Sequence, residues 1–137
     1  MKRLVHYAEA RRILSKVALA DQFWLCTNQN LRNLFSLALA LEDVDDDVFR
    51  YHVNRDKNDF EVWIRDIIKD RELAREISRV KTKETLVRKI MERVRALRKV
   101  VRLHKALLER KRAKKAVEKR KAKASKSRKR GVRKRRH

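Results

Sequence analysis

Residues 58–68 read NDFEVWIRDII, and Phe60, Trp63, Ile64, Ile67 and Ile68 stand in it at i, i+3, i+4, i+7 and i+8. That spacing places all five on one face of an α-helix, a face that must be buried. Asn58 or Asp59 starts the helix as an N-cap. Downstream, Asp70 caps a further helix that holds Leu73, Ala74, Ile77 and Val80 inside. Upstream, Asn54-Arg55-Asp56-Lys57-Asn58 is a polar interruption, and Asp45 or Asp46 caps a short helix through Phe49, His52 and Val53. Leu31, Leu34, Phe35, Ala38 and Leu41 recur at three- and four-residue steps and predict a helix to about Glu42, with Asn30 as its N-cap. Phe23-Trp24-Leu25-Cys26-Thr27 reads as a short extended, strand-like segment whose pairing partner the sequence does not identify. The first segment, Lys2 to Ala20, is a helix with Tyr7, Ala10, Leu14, Val17 and Ala18 on one face and Leu4 beginning it.

Composition supports this helical reading. The 137 residues include one Gly and no Pro, so the tight turns of a β-sandwich or barrel have few residues to form them. The same scarcity excludes Gly-rich phosphate loops and with them the common nucleotide-binding folds. A single Cys excludes an intramolecular disulfide and a cysteine-rich zinc module. No apolar run approaches the roughly 18 residues of a membrane span, and the N-terminus lacks the pattern of a secretory signal. The expected fold class is all-α, with at most one short extended segment at 23–27.

The charge divides the chain. Overall, 41 Lys and Arg stand against 18 Asp and Glu, a net of +23. Residues 1–20 carry +4, residues 21–80 carry −4 and residues 81–137 carry +23, while all eight aromatic residues precede residue 64. Three regions are therefore expected: a small helical domain over 1–80, an amphipathic basic helix over 81–110 packed on it, and a basic, largely disordered tail over 111–137. Lys81-Thr82-Lys83-Glu84 is either a break or a stretch the helix runs through. Beyond it Val87, Ile90, Val94, Leu97, Val101, His104 and Leu108 form a coiled-coil-like seam with one polar member. That seam is expected to pack on the first helix rather than on a second copy, because two segments this basic repel, so the free protein is expected to be a monomer. After Leu108 the apolar face ends, and the remaining chain has too little apolar surface to fold alone; its Ala-rich first half has good helix formers, opposed by repulsion between the cations, and the last dozen residues are expected to be disordered.

Phe23-Trp24-Leu25-Cys26, Leu31-x-x-Leu34-x-x-Leu37-Ala38-x-Ala40-Leu41, Asp47-x-Phe49-x-Tyr51-His52-Val53-Asn54, Asn58-Asp59-Phe60-x-x-Trp63-Ile64-x-Asp66 and Asp70-x-x-Leu73-Ala74 follow one another over residues 23–74. This stretch resembles a small helical domain family of unknown function, found mainly in archaea. The resemblance implies a helical fold and an archaeal source, and it supplies no mechanism. The basic second half lies outside it.

The strongest functional signal is that second half. Residues 111–137 hold sixteen Lys and Arg and one Glu, and a solvated helix face would mix signs. Each cation can neutralise a phosphate and release condensed counterions whatever the base sequence. The expected contacts are Arg110, Lys111, Arg112, Lys114, Lys115, Lys119, Arg120, Lys121, Lys123, Lys126, Arg128, Lys129, Arg130, Arg133, Lys134, Arg135 and Arg136. No aromatic residue accompanies them, which favours the backbone of a duplex, DNA or structured RNA, over stacked single strands. The Leu and Val stripe of residues 86–108 would also suit a membrane-surface helix, though packing is the better use.

A second, polar set consists of His52, Asn54, Asn58, Asp59 and Asp66. Helix capping and buried hydrogen bonds account for it better than a small-ligand or metal pocket made with Cys26, since no C-x-x-C, H-E-x-x-H or H-x-x-x-H pattern is present. Asp43-x-Asp45-x-Asp47 resembles the start of a calcium loop, but the Gly and bidentate Glu positions are Val48 and Asn54. No cofactor, metal or catalytic residues are expected. The functional expectation is a nucleic-acid-binding protein without marked sequence preference, cytoplasmic and of nucleoid or ribosome-associated type. The alternative is an adaptor whose small domain binds a protein partner while the tail localises it.

Overall fold

Capping side chains decide where the helices begin. The computed structural model describes residues 5–135, with side chains from 5 to 131. Lys2, Leu4 and Arg136 lie outside the described residues. Helix α2 (Leu34–Asp43) starts at Asn33, whose Oδ1 accepts from Ser36 N–H at 2.8 Å. Helix α3 (Asp46–His52) starts at Asp45, which accepts from Val48 N–H at 3.2 Å, and α4 (Asp59–Trp63) at Asn58, which accepts from Glu61 N–H at 3.1 Å. Asp70 does the same for α5 (Arg71–Ile77) through Leu73 N–H at 3.2 Å. Each side chain satisfies an N–H that a helix start leaves without an intrahelical partner. Thr82 plays that part at the break before α6 (Lys83–Arg135), accepting from Thr85 N–H at 3.3 Å.

Two boundaries differ from the sequence reading. Helix α1 is only Tyr7–Leu14, because the chain turns extended at Ser15 and Val17 engages Arg32 instead. Val17 N–H donates to the Arg32 carbonyl at 2.8 Å, and the Arg32 guanidinium returns two bonds to the Val17 carbonyl. The buried α1 residues are Ala10 and Ile13; Leu14 and Val17 are half-buried and Ala18 is exposed. Asn30 does not cap α2. It belongs with Leu31 to strand β2 (Asn30–Leu31), which pairs antiparallel with β1 (Phe23–Trp24) in the register Phe23 to Leu31 and Trp24 to Asn30. The extended segment thereby gains the partner that the sequence did not disclose.

The chain divides into two units, Met1–Val101 and Arg102–His137. In the first, α4 continues as a π-helical turn, Ile64–Ile68, ended by Lys69 in the left-handed conformation at φ 62°. The Arg12 guanidinium donates to the carbonyls of Ile68 (2.8 Å) and Lys69 (3.2 Å), which that end leaves without helical partners. Trp63 Nε1–H donates to the Asp21 carbonyl at 2.8 Å. Phe23 stacks on Phe60 at 5.0 Å and meets Trp63 edge-on at 5.6 Å. One core joins Ala10, Leu34, Leu37, Leu41, Phe60, Ile64, Leu73, Ile77, Leu86, Ile90, Val94 and Leu97.

The expected seam of α6 is therefore only its first half, and it begins at Leu86 rather than Val87. Ile90, Val94 and Leu97 are buried, Val101 is half-buried, and Leu103, Leu107 and Leu108 are exposed. Side chains of this half also reach other segments: Lys83 donates to the Val44 carbonyl at 2.6 Å, Arg93 grips Asp70, and Arg98 lies 4.4 Å over the Phe35 ring. Residues 111–135, read as a largely disordered tail, are helical. Lys, Arg, Ala and Glu all favour helix, no proline interrupts, and Gly131 is the single weak position.

Candidate nucleic-acid interface

The second unit is defined by what its side chains do not do. From Arg102 to Gly131 every residue is exposed except His104, which is half-buried. None of the Lys and Arg side chains from 102 to 130 makes an ion pair with a described carboxylate. Arg110, Lys111, Arg112, Lys114, Lys115, Lys119, Arg120, Lys121, Lys123, Lys126, Arg128, Lys129 and Arg130 all lie on α6 and are exposed. The backbone of Arg133, Lys134 and Arg135 continues the helix.

At about 100° per residue these cations surround the helix rather than forming one stripe. Residues 110–135 hold sixteen Lys and Arg against Glu118 alone. Along roughly 39 Å of axis that is one cation per ~2.4 Å, beside one phosphate per ~1.7 Å of duplex. The arrangement offers charge at a density near that of a nucleic-acid duplex, without aromatic rings or a rigid base-reading surface.

The polar set of the first unit does different work. His52 is 3 % exposed, its Nε2 accepts from Cys26 N–H at 3.1 Å, and its Nδ1–H donates to Asp59 Oδ2 at 2.9 Å. Both ring nitrogens are thus occupied, and the imidazole fastens the β1–β2 turn to the start of α4. A general base needs a free nitrogen facing substrate, and this one faces a backbone amide. Asp59 also accepts from Lys57 Nζ at 2.8 Å. Burial pushes the Asp59 carboxyl up, but the bonds and charges of Lys57 and His52 outweigh it and hold the group below the usual aspartate range. The Asp59 bond raises Lys57 in turn.

Asn58 is buried, and both ends of its amide are engaged: Oδ1 caps α4 and Nδ2 donates to the Ile77 carbonyl at 3.0 Å. Asn54 orders its own turn through Arg50 and Tyr51 carbonyls and Asp56 N–H. Asp66 stands apart from this group, paired with Arg65 on the surface at 2.9 Å. Among the described residues no cluster of three or more His, Cys, Asp or Glu is placed to hold a metal ion.

Sequence reasoning missed a buried ion pair. Arg93 meets both oxygens of Asp70 at 2.8 and 2.9 Å and Glu72 at 3.4 Å, with the Asp70 side chain 2 % exposed. Burial pushes the Arg93 guanidinium down, and its bond to Asp70 with the charges of Asp70, Glu72 and Glu76 raises it above its ordinary value. Asp70 is therefore helix cap and counter-ion at once. Only the cap is visible in local spacing.

Comparison with protein-family models, curated proteins and solved structures found no match. Among the described residues no helix is long and apolar enough to cross a membrane.

Proposed function

We propose that this protein binds the phosphate backbone of duplex nucleic acid, DNA or structured RNA, through the Lys and Arg side chains of α6 from Arg110 onward, without marked sequence preference. The observation that carries the reading is the run of exposed cations on α6 from Arg110 to Arg130, none of which pairs with a carboxylate among the described residues. Unpaired cations at this density attract counterions when free, and a polyanion that replaces them gains the entropy of both counterion atmospheres. The lack of aromatic side chains beyond Trp63 favours backbone contacts over base stacking. The role is binding rather than catalysis, of nucleoid or ribosome-associated type, and the free protein is a monomer because two such helices repel.

The test is the salt dependence of binding to a duplex. If about eight phosphates are neutralised, log K falls against log[salt] with a slope near −7 on B-DNA. A slope shallower than about −2 overturns the proposal. Which nucleic acid crosslinks to the protein in cells separates DNA from ribosomal RNA.

A further inference from the structure

A groove of about 620 Å³ opens in the first unit between two short segments, residues 53–58 and 78–81. Its first wall is a tight reversal, in which Val53 bridges Asn58 and Asn54 N–H donates to the Lys57 carbonyl at 2.9 Å. Its second wall is the turn that follows α5, closed by Val80 N–H on the Ile77 carbonyl at 3.2 Å. Buried Asn58 joins the walls through its 3.0 Å bond to that same Ile77 carbonyl. The spacing between the walls is thus set by a buried hydrogen bond.

We propose that this groove is a second phosphodiester-binding site, contributed by the folded unit and separate in sequence from the cations beyond Arg110. The proposal rests on the nucleic-acid reading above. Arg55 enters from the first wall, and Arg79 and Lys81 from the second. All three are exposed and have no carboxylate partner among the described residues. Arg12, Arg32, Lys83 and Arg93 of this unit are held by carbonyls or carboxylates; Arg55, Arg79 and Lys81 are not so held among the described residues, and they come from two segments that share one groove. Two guanidinium groups suit the paired oxygens of a phosphate.

The other lining charges narrow the ligand. Lys57 is already taken by Asp59 and lies 4.7 Å over the Tyr51 ring. Asp56 and Glu61 also line the groove, so three unengaged cations face two carboxylates. That small positive excess matches the single negative charge of each phosphodiester.

The experiment compares three full-length proteins on one short duplex across a salt series: wild type, Arg55→Ala/Arg79→Ala/Lys81→Ala, and the control Arg11→Ala/Lys16→Ala/Arg71→Ala, which removes three exposed cations from outside the groove. All six positions are exposed, and thermal melting of each protein confirms that folding is retained. The groove variant is expected to lose about 2–3 from the magnitude of the log–log slope, and the control less than about 0.5. A groove variant with the wild-type slope overturns the inference while leaving the α6 reading intact. Equal losses in both variants also overturn it, because the effect would then be net charge alone. A wild-type slope shallower than about −2 removes the phosphate reading itself and this site with it.

Discussion

The two units use the same residue types in opposite ways. In the first, Arg12 and Arg32 close irregular backbone, Lys83 holds the Val44 carbonyl, Arg93 clamps Asp70, and Arg98 covers the Phe35 ring. In the second, no Lys or Arg up to 130 has a described carboxylate partner. Helix α6 runs through both, so helix propensity does not separate them. What does is apolar burial. Leu86, Ile90, Val94 and Leu97 are at most 1 % exposed, whereas Leu103 and Leu107 are 57 % and 50 % exposed. A cation beside a buried surface finds a fixed acceptor and becomes structural; one on a fully solvated helix remains available to an external polyanion.

This contrast makes the two units respond differently to equivalent substitutions. Arg93→Ala should destabilise the first unit by roughly 3–5 kcal/mol, because it leaves the buried Asp70 carboxylate without its counter-ion. Arg120→Ala, the same chemical change on the second unit, should stay within about 0.5 kcal/mol. Denaturant unfolding of both variants measures the difference. Equal effects would mean that cations of the two units do the same work, and a neutral Arg93→Ala would mean that Asp70 is sufficiently held by its capping bond alone.

A smaller effect sharpens the account of the polar set. Asn58→Ala removes a helix cap and also the donor to a buried carbonyl, so about 2–3 kcal/mol should be lost. Asn33→Ala removes a cap only and should cost about 1 kcal/mol. The pair of melting curves distinguishes capping from the link that joins residues 53–58 to α5. Asn58→Ala falling no further than Asn33→Ala would reduce Asn58 to a cap.

What the sequence made legible follows the range of the interaction. The caps at Asp45, Asn58 and Asp70 could be read because a cap bonds three residues ahead, within one turn. The buried face of Phe60, Trp63, Ile64 and Ile68 could be read because helical periodicity is local. Asn33 as a cap, the shortened α1 and the Arg93–Asp70 pair could not, since each depends on a contact between distant segments: Phe23 with Leu31, Val17 with Arg32, and α6 with the start of α5. The exposure of the basic run was legible from composition alone, because a stretch almost without large apolar residues needs no tertiary contact to be solvated; its helicity to Arg135 was not. The groove at 53–58 and 78–81 was not, because its walls are joined by a bond between segments distant in sequence, from Asn58 to the Ile77 carbonyl.

A pH effect follows from Asp59 and is confined to the first unit. Its carboxyl is held below the ordinary value of 3.8 by Lys57 and His52. A depressed acid binds fewer protons when folded than when unfolded, so it contributes stability at pH values above its unfolded pKa. That contribution disappears as pH falls from about 4 through the folded pKa. Acid unfolding of Asp59→Asn should therefore be less steep below pH ~4 than that of the wild type. The two curves running parallel would mean that the hydrogen bonds of Lys57 and His52 do not bias the proton equilibrium.

The smallest expected change in stability comes from the largest deletion. Ending the chain after Arg110 removes residues 111–137, a fifth of the molecule, yet every described side chain among them is exposed. The apolar area lost from the core is then close to zero, and hydrophobic stabilisation scales with that area. Thermal unfolding of the first unit should stay in place, while far-UV ellipticity falls by the helix removed. The salt slope of duplex binding should lose most of its magnitude in the same protein, because the deleted segment carries sixteen Lys and Arg, and the share of the groove cations should remain. Removing cations that repel one another also relieves a cost of holding them on one helix, so any shift in melting should be slightly upward. A marked drop in melting temperature would contradict the exposure of this segment and show that residues beyond 110 stabilise the folded unit, and the division at Val101 would then fail with it.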